Sequence, residues 1–422
     1  MVTEIKFTGT SMPDSSEDFT NITVPYLLVL HIPIFVDTDG GVFLERTWHH
    51  DLIQHLHYLR ALTLAAPLRP LPADKTKLIA LEEGLRARLR LVPLPPQTSR
   101  IRAIAELPWA LWALWRAIGQ SEIVHTGPGG WPLPLGWLAS PIAKLRRKKL
   151  LIIVESAPWT LALKKGSNAS PRKRMEGALY ELMSKYCCHR ADLSFYTQPE
   201  YLERYHGKGK RPAYIAPATW VNAEDVLEDT QARLLWDAKM REPVRFLFAG
   251  RLEVEKGVKI LLEAVEKLRR QGVRGAVHVI GEGRLRNEVI AAERTSPFGL
   301  KYFEPLPYGA TFLNFLQQYH AIVVPSLSDE QPRIVFDAAA RGVAILASET
   351  DGLRPYVEDD RSGQLIPPDD SDALAEAMAS GAENPAILRG FALEALSRVR
   401  GKTHRAMHAE RSRIIARDLG VG

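Results

Sequence analysis

The block Ala321–Pro368, AIVVPSLSDEQPRIVFDAAARGVAILASETDGLRPYVEDDRSGQLIPP, constrains the fold more than any other stretch of this chain. An apolar run (Ala321–Pro325) leads into a polar loop, a helical pattern opening near Pro332, a second apolar run (Ala344–Ala347) and a loop holding Asp351 and Gly352. Apolar runs joined through a helix are the pattern of parallel strands buried on both faces. Pro332 suits a first helical turn, where the missing N–H costs nothing. Asp329 and Asp337 stand eight positions apart across the loop–helix junction, so one can reach a ligand from the loop and the other from the second turn. In such a unit the helix N-terminus stabilises a phosphate while carboxylates hold the hydroxyls of a sugar or ribose. The alternative is an ordinary strand–helix–strand unit with solvated acids.

A second segment repeats the theme. Pro243–Gly257, PVRFLFAGRLEVEKG, is an apolar strand ending in Gly250-Arg251, then a polar loop, then Lys256-Gly257 before a helix whose Ile260, Leu261, Ala264, Val265 and Leu268 share one face. An arginine and a lysine five positions apart at a strand-to-helix turn can clamp a diphosphate, one as a planar fork and the other as a point charge. Left solvated, they are two ordinary surface cations.

GRLEVEKG, the later VIGEG (Val279–Gly283) and PSLSDEQPRIVFDAAARGVAILAS together resemble the donor-binding half of retaining glycosyltransferases of family four, the glycosyl transferases group 1, over about residues 243–380. The resemblance implies an α/β protein of the GT-B fold, two Rossmann-like domains facing across a cleft. It also implies a metal-independent transferase with no cofactor, taking a nucleoside-diphosphate sugar as substrate and a glycan or lipid-linked molecule as acceptor, in cell-surface polysaccharide or glycolipid biosynthesis. Carried over residue by residue, Arg251 and Lys256 hold the donor diphosphate, Asp329 the transferred sugar and Asp337 the ribose. Gly250, Gly281, Glu282, Arg333 and Ile334 complete the donor site. Family-four retention is ascribed to attack on the same face as the leaving phosphate, which accepts the acceptor's proton, so no protein nucleophile is implied.

Two departures stand out. Both expected glutamates are aspartates, one methylene shorter, and the family's Gly-aromatic pair after the first acid is Glu330-Gln331. Either Asp329 or Glu330 then meets the sugar. Two other readings remain open: a silent protein that binds nucleotide sugar or scaffolds a complex, and an epimerase acting on the donor itself.

The first half alternates apolar runs (Leu62–Ala66, Ile123–Thr126, Leu150–Glu155, Asp192–Thr197) with helical patterns such as Trp48–Arg60 and Lys173–Arg190, and predicts a parallel sheet covered on both faces. The expected organisation is a tail over 1–22, an acceptor domain over 23–220, a linker over 221–242, a donor domain over 243–393, and a helix over 394–422 returning toward the first domain. On the acceptor side, Gly40-Gly41 follows the first strand, where a bare backbone can approach substrate or simply turn. His125 matches the first of two histidines usual in the family, with Gly127 at the second, and Glu155 ends the next strand.

Composition narrows the partners. Fifty-five Lys and Arg against 49 Asp and Glu give a charge of +6, without the concentration of a nucleic-acid binder. Cations do cluster over Lys144–Lys149 and Lys164–Arg174, fitting either an anionic membrane surface or solvent. Trp109, Trp112 and Trp115 at helical spacing read as interfacial anchors or as core. The polar Met1–Asn21 lacks a secretory pattern, and the first apolar run, Tyr26–Val36, is too short to cross a bilayer, so a cytoplasmic chain at the inner membrane face is expected. Cys187 and Cys188 are adjacent in a helical pattern and read as reduced packing residues. The run His49–His57 reads as a helix surface, and no metal site is expected.

Overall fold

The computed structural model describes residues 18–164, 169–207, 211–295, 299–327 and 330–422. They form two compact units, one of Met1–Pro217 with Arg405–Gly422 and one of Ala218–His404.

The first unit is built on ten strands: β1 Tyr26–Val29, β2 Ile34–Val36, β3 Val42–Glu45, β4 Leu62–Pro70, β5 Leu78–Ala80, β6 Leu89–Leu94, β7 Ile123–Thr126, β8 Lys149–Val154, β9 Leu193–Tyr196 and β10 Ala213–Ile215. Their order is β10-β9-β8-β7-β1-β4-β2-β3-β5, with β6 also paired to β4. Alternate residues of β1 go to opposite faces. Tyr26 and Leu28 pack with Leu52 and Leu56 of the Arg46–Tyr58 helix and with Ile414 and Ile415 of the His404–Leu419 helix. Leu27 and Val29 pack with the helices Leu107–Gly119, Leu135–Leu145 and Pro171–Arg190. A polar cluster ties the Arg46–Tyr58 helix to the His404–Leu419 helix: the Asp51 carboxylate lies 3.3 Å from His55 Nδ1 and 3.2 Å from His408 Nε2.

The second unit holds six parallel strands: β11 Arg245–Ala249, β12 Ala276–Ile280, β13 Lys301–Phe303, β14 Ala321–Val324, β15 Ala344–Ser348 and β16 Gln364–Ile366. Their order is β13-β12-β11-β14-β15-β16. Because β11 and β14 are central, their carboxyl-end loops lie side by side. The Val258–Arg270 helix buries Ile260, Leu261, Ala264, Val265 and Leu268 against this sheet, the face its periodicity predicts. Among the described residues, no helix is long and apolar enough to cross a membrane.

Several boundaries differ from expectation. The run 26–36 is two strands, since the segment Leu30–Pro33 steps from the centre of the sheet toward its edge. Residues 1–17 of the expected tail lie outside the described residues, but Phe19 stacks on His57 at 5.2 Å and Ile22 pairs with Leu59. The segment 394–422 is not one helix: Pro385–Val399 packs in the second unit and His404–Leu419 in the first. The expected linker 221–242 is core of the second unit. Its Asp229–Lys239 helix buries Ala232 and Trp236, and the Trp236 indole donates to the Gly342 carbonyl at 2.9 Å.

Trp236→Ala is therefore expected to destabilise the second unit by about 3–5 kcal/mol, the usual cost of emptying a large aromatic site. Denaturant unfolding followed by far-UV circular dichroism measures this, and a change within experimental error would return 221–242 to a linker.

Candidate functional site

Three turns at the carboxyl ends of β11, β12 and β14 are laced together by backbone. The Gly250 N–H donates to the Ile280 carbonyl at 3.1 Å, Leu252 N–H to the Glu282 carbonyl at 2.7 Å, and Leu285 N–H to the Leu252 carbonyl at 2.9 Å. Gly281, with φ +153°, passes so near β11 that a Cβ would stand 1.8 Å from the Gly250 carbonyl oxygen. Gly257, with φ +74°, would put a Cβ 1.7 Å from the Pro325 carbonyl oxygen. Only glycine meets both the dihedral and the contact. Leu327 N–H then donates to the Glu255 carbonyl at 2.9 Å, joining the third turn to the first.

On this frame the two expected cations converge. Lys256 Nζ lies 3.1 Å from Glu330 Oε2, and Arg251 Nη2 lies 3.9 Å from the same oxygen. Arg251 also approaches Glu255 at 3.7 Å and stays 62% exposed. One carboxylate oxygen thus sits between both cations, where a phosphate oxygen of similar charge and size would also fit. Gln331 clamps the entering chain, its amide exchanging bonds with Ala218 N–H at 3.0 Å and the Ala218 carbonyl at 3.1 Å. Asp329 lies outside the described residues.

Beside this pair is a pocket of about 400 Å³, a volume suited to a small ligand. Gly250, Arg251, Gly281, Glu282, Arg333, Ile334 and Asp337 line it, together with Trp220, Leu306, Tyr308 and Phe312. Asp337 is buried, and its carboxylate accepts from the Tyr308 hydroxyl at 2.8 Å. Burial pushes its pKa up to about 7, against the pull of the Tyr308 hydroxyl and the Arg333 charge. The Arg333 guanidinium stacks over Trp220 at 3.6 Å, and Trp220 meets Tyr308 edge-on at 5.8 Å. The pocket can therefore offer a cationic mouth, an aromatic wall and a buried hydrogen-bonding carboxyl.

All the described residues expected on the donor side lie together. Trp220 and Tyr308 were not anticipated. The signal available for Tyr308 was the turn Pro305-Leu306-Pro307-Tyr308-Gly309, an aromatic among turn residues directly after a strand.

The four residues expected on the acceptor side are dispersed. Gly40 and Gly41 lie in the β2–β3 hairpin at the sheet edge, where Asp37 Oδ1 accepts from Gly41 N–H at 2.6 Å. His125 is inside β7, its Nδ1 2.8 Å from the Tyr26 hydroxyl, and burial holds its pKa well below the usual imidazole range. Glu155 is exposed just beyond β8; burial lowers the pKa of His31, and the Glu155 charge partly opposes that shift. The loop after β7 also reaches His31, since a Cβ on Gly130 would stand 3.1 Å from it. His31, missed from sequence, thus neighbours both Glu155 and the glycine loop.

Residues 243–384 match the family Glycosyl transferases group 1. The phosphatidyl-myo-inositol mannosyltransferase of Mycolicibacterium smegmatis is 29% identical over 203 residues, 48% of this chain and 52% of that protein. The chain thus spans about half the length of this curated relative. The sucrose-phosphate synthase of Thermosynechococcus elongatus superposes with a TM-score of 0.68 at 18% identity, over 94% of this chain and 100% of that one. Anabaena HepE in complex with UDP superposes at 0.63 and 12% identity, over 94% and 99%. The chain has the GT-B fold, and its residues 243–384 match the group 1 glycosyltransferases.

Proposed function

We propose that this chain is a retaining, metal-independent glycosyltransferase that moves a sugar from a nucleoside-diphosphate donor to a glycan or lipid-linked acceptor, in polysaccharide or glycolipid synthesis. The observation that carries the reading is the convergence of Arg251 and Lys256 on one carboxylate oxygen beside a pocket that ends in Asp337. The similarity to a mannosyltransferase and to a protein bound to UDP supports the donor class.

In this reading the diphosphate replaces Glu330 between the cations, the ribose hydroxyls bond to Asp337, and the base lies toward Leu306 and Tyr308. The acceptor hydroxyl forms a bond to the anomeric carbon as the bond from that carbon to the phosphate oxygen breaks. The leaving phosphate takes the acceptor's proton, and Arg251 and Lys256 stabilise the charge that develops on it. Two fixed cations then do what a divalent metal does elsewhere.

Replacing either Arg251 or Lys256 with Ala is expected to weaken nucleoside-diphosphate binding and cost roughly 2–4 kcal/mol of transition-state stabilisation. Calorimetry and donor turnover measure these effects, and turnover should survive a chelator. Unchanged binding and turnover in both variants would remove the assignment, while donor binding without any transfer to acceptor or water would favour the silent binder.

Glu330→Gln separates two roles for that carboxylate. As an anion holding the diphosphate's place, its neutralisation should tighten binding of a bare nucleoside diphosphate, because a competing charge is lost. A contact to the sugar alone predicts unchanged affinity for the bare diphosphate and slower transfer.

Asp337 gives the site a pH dependence. Between its ordinary value of 3.8 and about 7, the folded state holds a proton that the unfolded state has released. Its contribution to stability therefore falls as pH rises through this window. The ionised form accepts from ribose hydroxyls best, so donor affinity should rise over the same window. Asp337→Asn is expected to flatten the affinity profile, lower affinity at pH 8, and improve its melting temperature relative to the parent more at pH 8 than at pH 5. An unaltered affinity profile in the variant would detach Asp337 from the ribose.

A further inference from the structure

The helix Leu107–Gly119 (LPWALWALWRAIG) is apolar on nearly every side, a pattern that calls for cover on both faces. Among the described residues, only one face has it. Ala110, Ala113, Leu114, Ala117 and Ile118 are buried, and most of them join the core against the first sheet. Trp109, Trp112 and Trp115 are exposed, Trp112 to 58%. Small and aliphatic residues thus face the sheet, and the largest apolar side chains face away.

The neighbouring helices extend this surface. In Arg100–Ala105, Ile101 is 81% exposed, and Ile104 is exposed too. Arg100 pairs with Glu176, which brings the Pro171–Arg190 helix alongside, where Met175, Leu179 and Leu182 form an exposed stripe at helical spacing. Exposed apolar side chains gathered over neighbouring helices, in place of scattered single ones, mark an interaction site.

Arginines border the tryptophans. Arg116 Cζ lies 5.0 Å from the Trp112 ring and Arg146 Cζ 4.5 Å from the Trp115 ring. Between Ser99 and Gly119 the only acid is Glu106, against Arg100, Arg102 and Arg116. By contrast, two cations of the expected basic patch turn to protein partners, Lys144 to Asp192 at 2.8 Å and Lys149 to Glu122 at 3.0 Å. Arg146 of the same patch instead stands over Trp115 of the tryptophan helix.

We propose that the outer face of the Arg100–Ala105, Leu107–Gly119 and Pro171–Arg190 helices docks on an anionic lipid bilayer. The tryptophans lie at head-group depth, where an amphipathic ring satisfies both phases, and Arg116 and Arg146 meet lipid phosphates. The face is broad, apolar at its centre and cationic where it is charged, which complements an anionic bilayer on both counts. The surface belongs to the first unit alone, so it stands or falls independently of the donor pocket.

The test is co-sedimentation of the full chain with phosphatidylcholine vesicles, with and without phosphatidylglycerol. Binding should favour the anionic vesicles, weaken as salt is raised, and persist in part at high salt through the apolar contact. Trp112→Glu combined with Ile104→Glu should lower partitioning at least about tenfold, since a carboxylate at this depth opposes insertion. Leu179→Glu should lower it on its own. An unchanged far-UV spectrum and melting curve certify the fold of each variant. Absence of binding to either vesicle, retention of binding in the variants, or complete loss at high salt would overturn the proposal. So would a concentration-dependent dimer that the same substitutions dissociate without affecting lipid binding, which would place a second copy on this face.

Discussion

The candidate site depends on the approach of two backbones. The turn after β12 runs so close to the turn after β11 that Gly281 has room for no side chain, and the turn after β11 in turn touches Pro325 through Gly257. These contacts and the hydrogen bonds around Leu252 fix where Arg251, Lys256 and Glu282 leave the main chain. Arg251 is mostly exposed, yet its origin on the main chain is held by the packed sheet. A side chain anchored in this way can move between a protein carboxylate and a ligand without disturbing the fold.

Two charges in the site are held in ways that anticipate an anion and a hydroxyl. Glu330 lies between Lys256 and Arg251, so the cations keep a counter-charge and are not left repelling each other. Asp337 is the opposite case, a carboxyl with one hydroxyl partner in a place that disfavours its charge. Its strain is relieved by further donors, which ribose hydroxyls supply. The shorter aspartate reaches less far than a glutamate would, and Tyr308 shares its oxygens.

The donor half was largely legible in the sequence because its strands are continuous apolar runs and its turns carry glycines at fixed spacing. Strands β11 and β14 and the helix after Gly257 appear where periodicity predicts them. The first half was less legible for physical reasons. Strands β3, β5 and β10 are short, and β6 carries Pro93, so none presents a clean run. Their pairing is set by long-range contacts. His125, expected on the acceptor side from the resemblance, lies buried in β7 and is hydrogen-bonded to Tyr26 of the adjoining strand β1, a partner that no local pattern shows. The wall formed by Trp220 and Tyr308 joins residues 88 positions apart, which no local pattern brings together. The tryptophan helix was ambiguous for another reason: a helix apolar all round does not say which side meets the sheet, and the alanines decide it.

The most direct test of the central claim is a crystal structure of the chain grown with UDP and, separately, with GDP. The account predicts, for the nucleotide that binds, a diphosphate in contact with Arg251 and Lys256, a ribose hydroxyl on Asp337, and Glu330 displaced from Lys256. A nucleotide bound elsewhere, or in the pocket with the Lys256–Glu330 pair intact and its phosphates turned away, would contradict it.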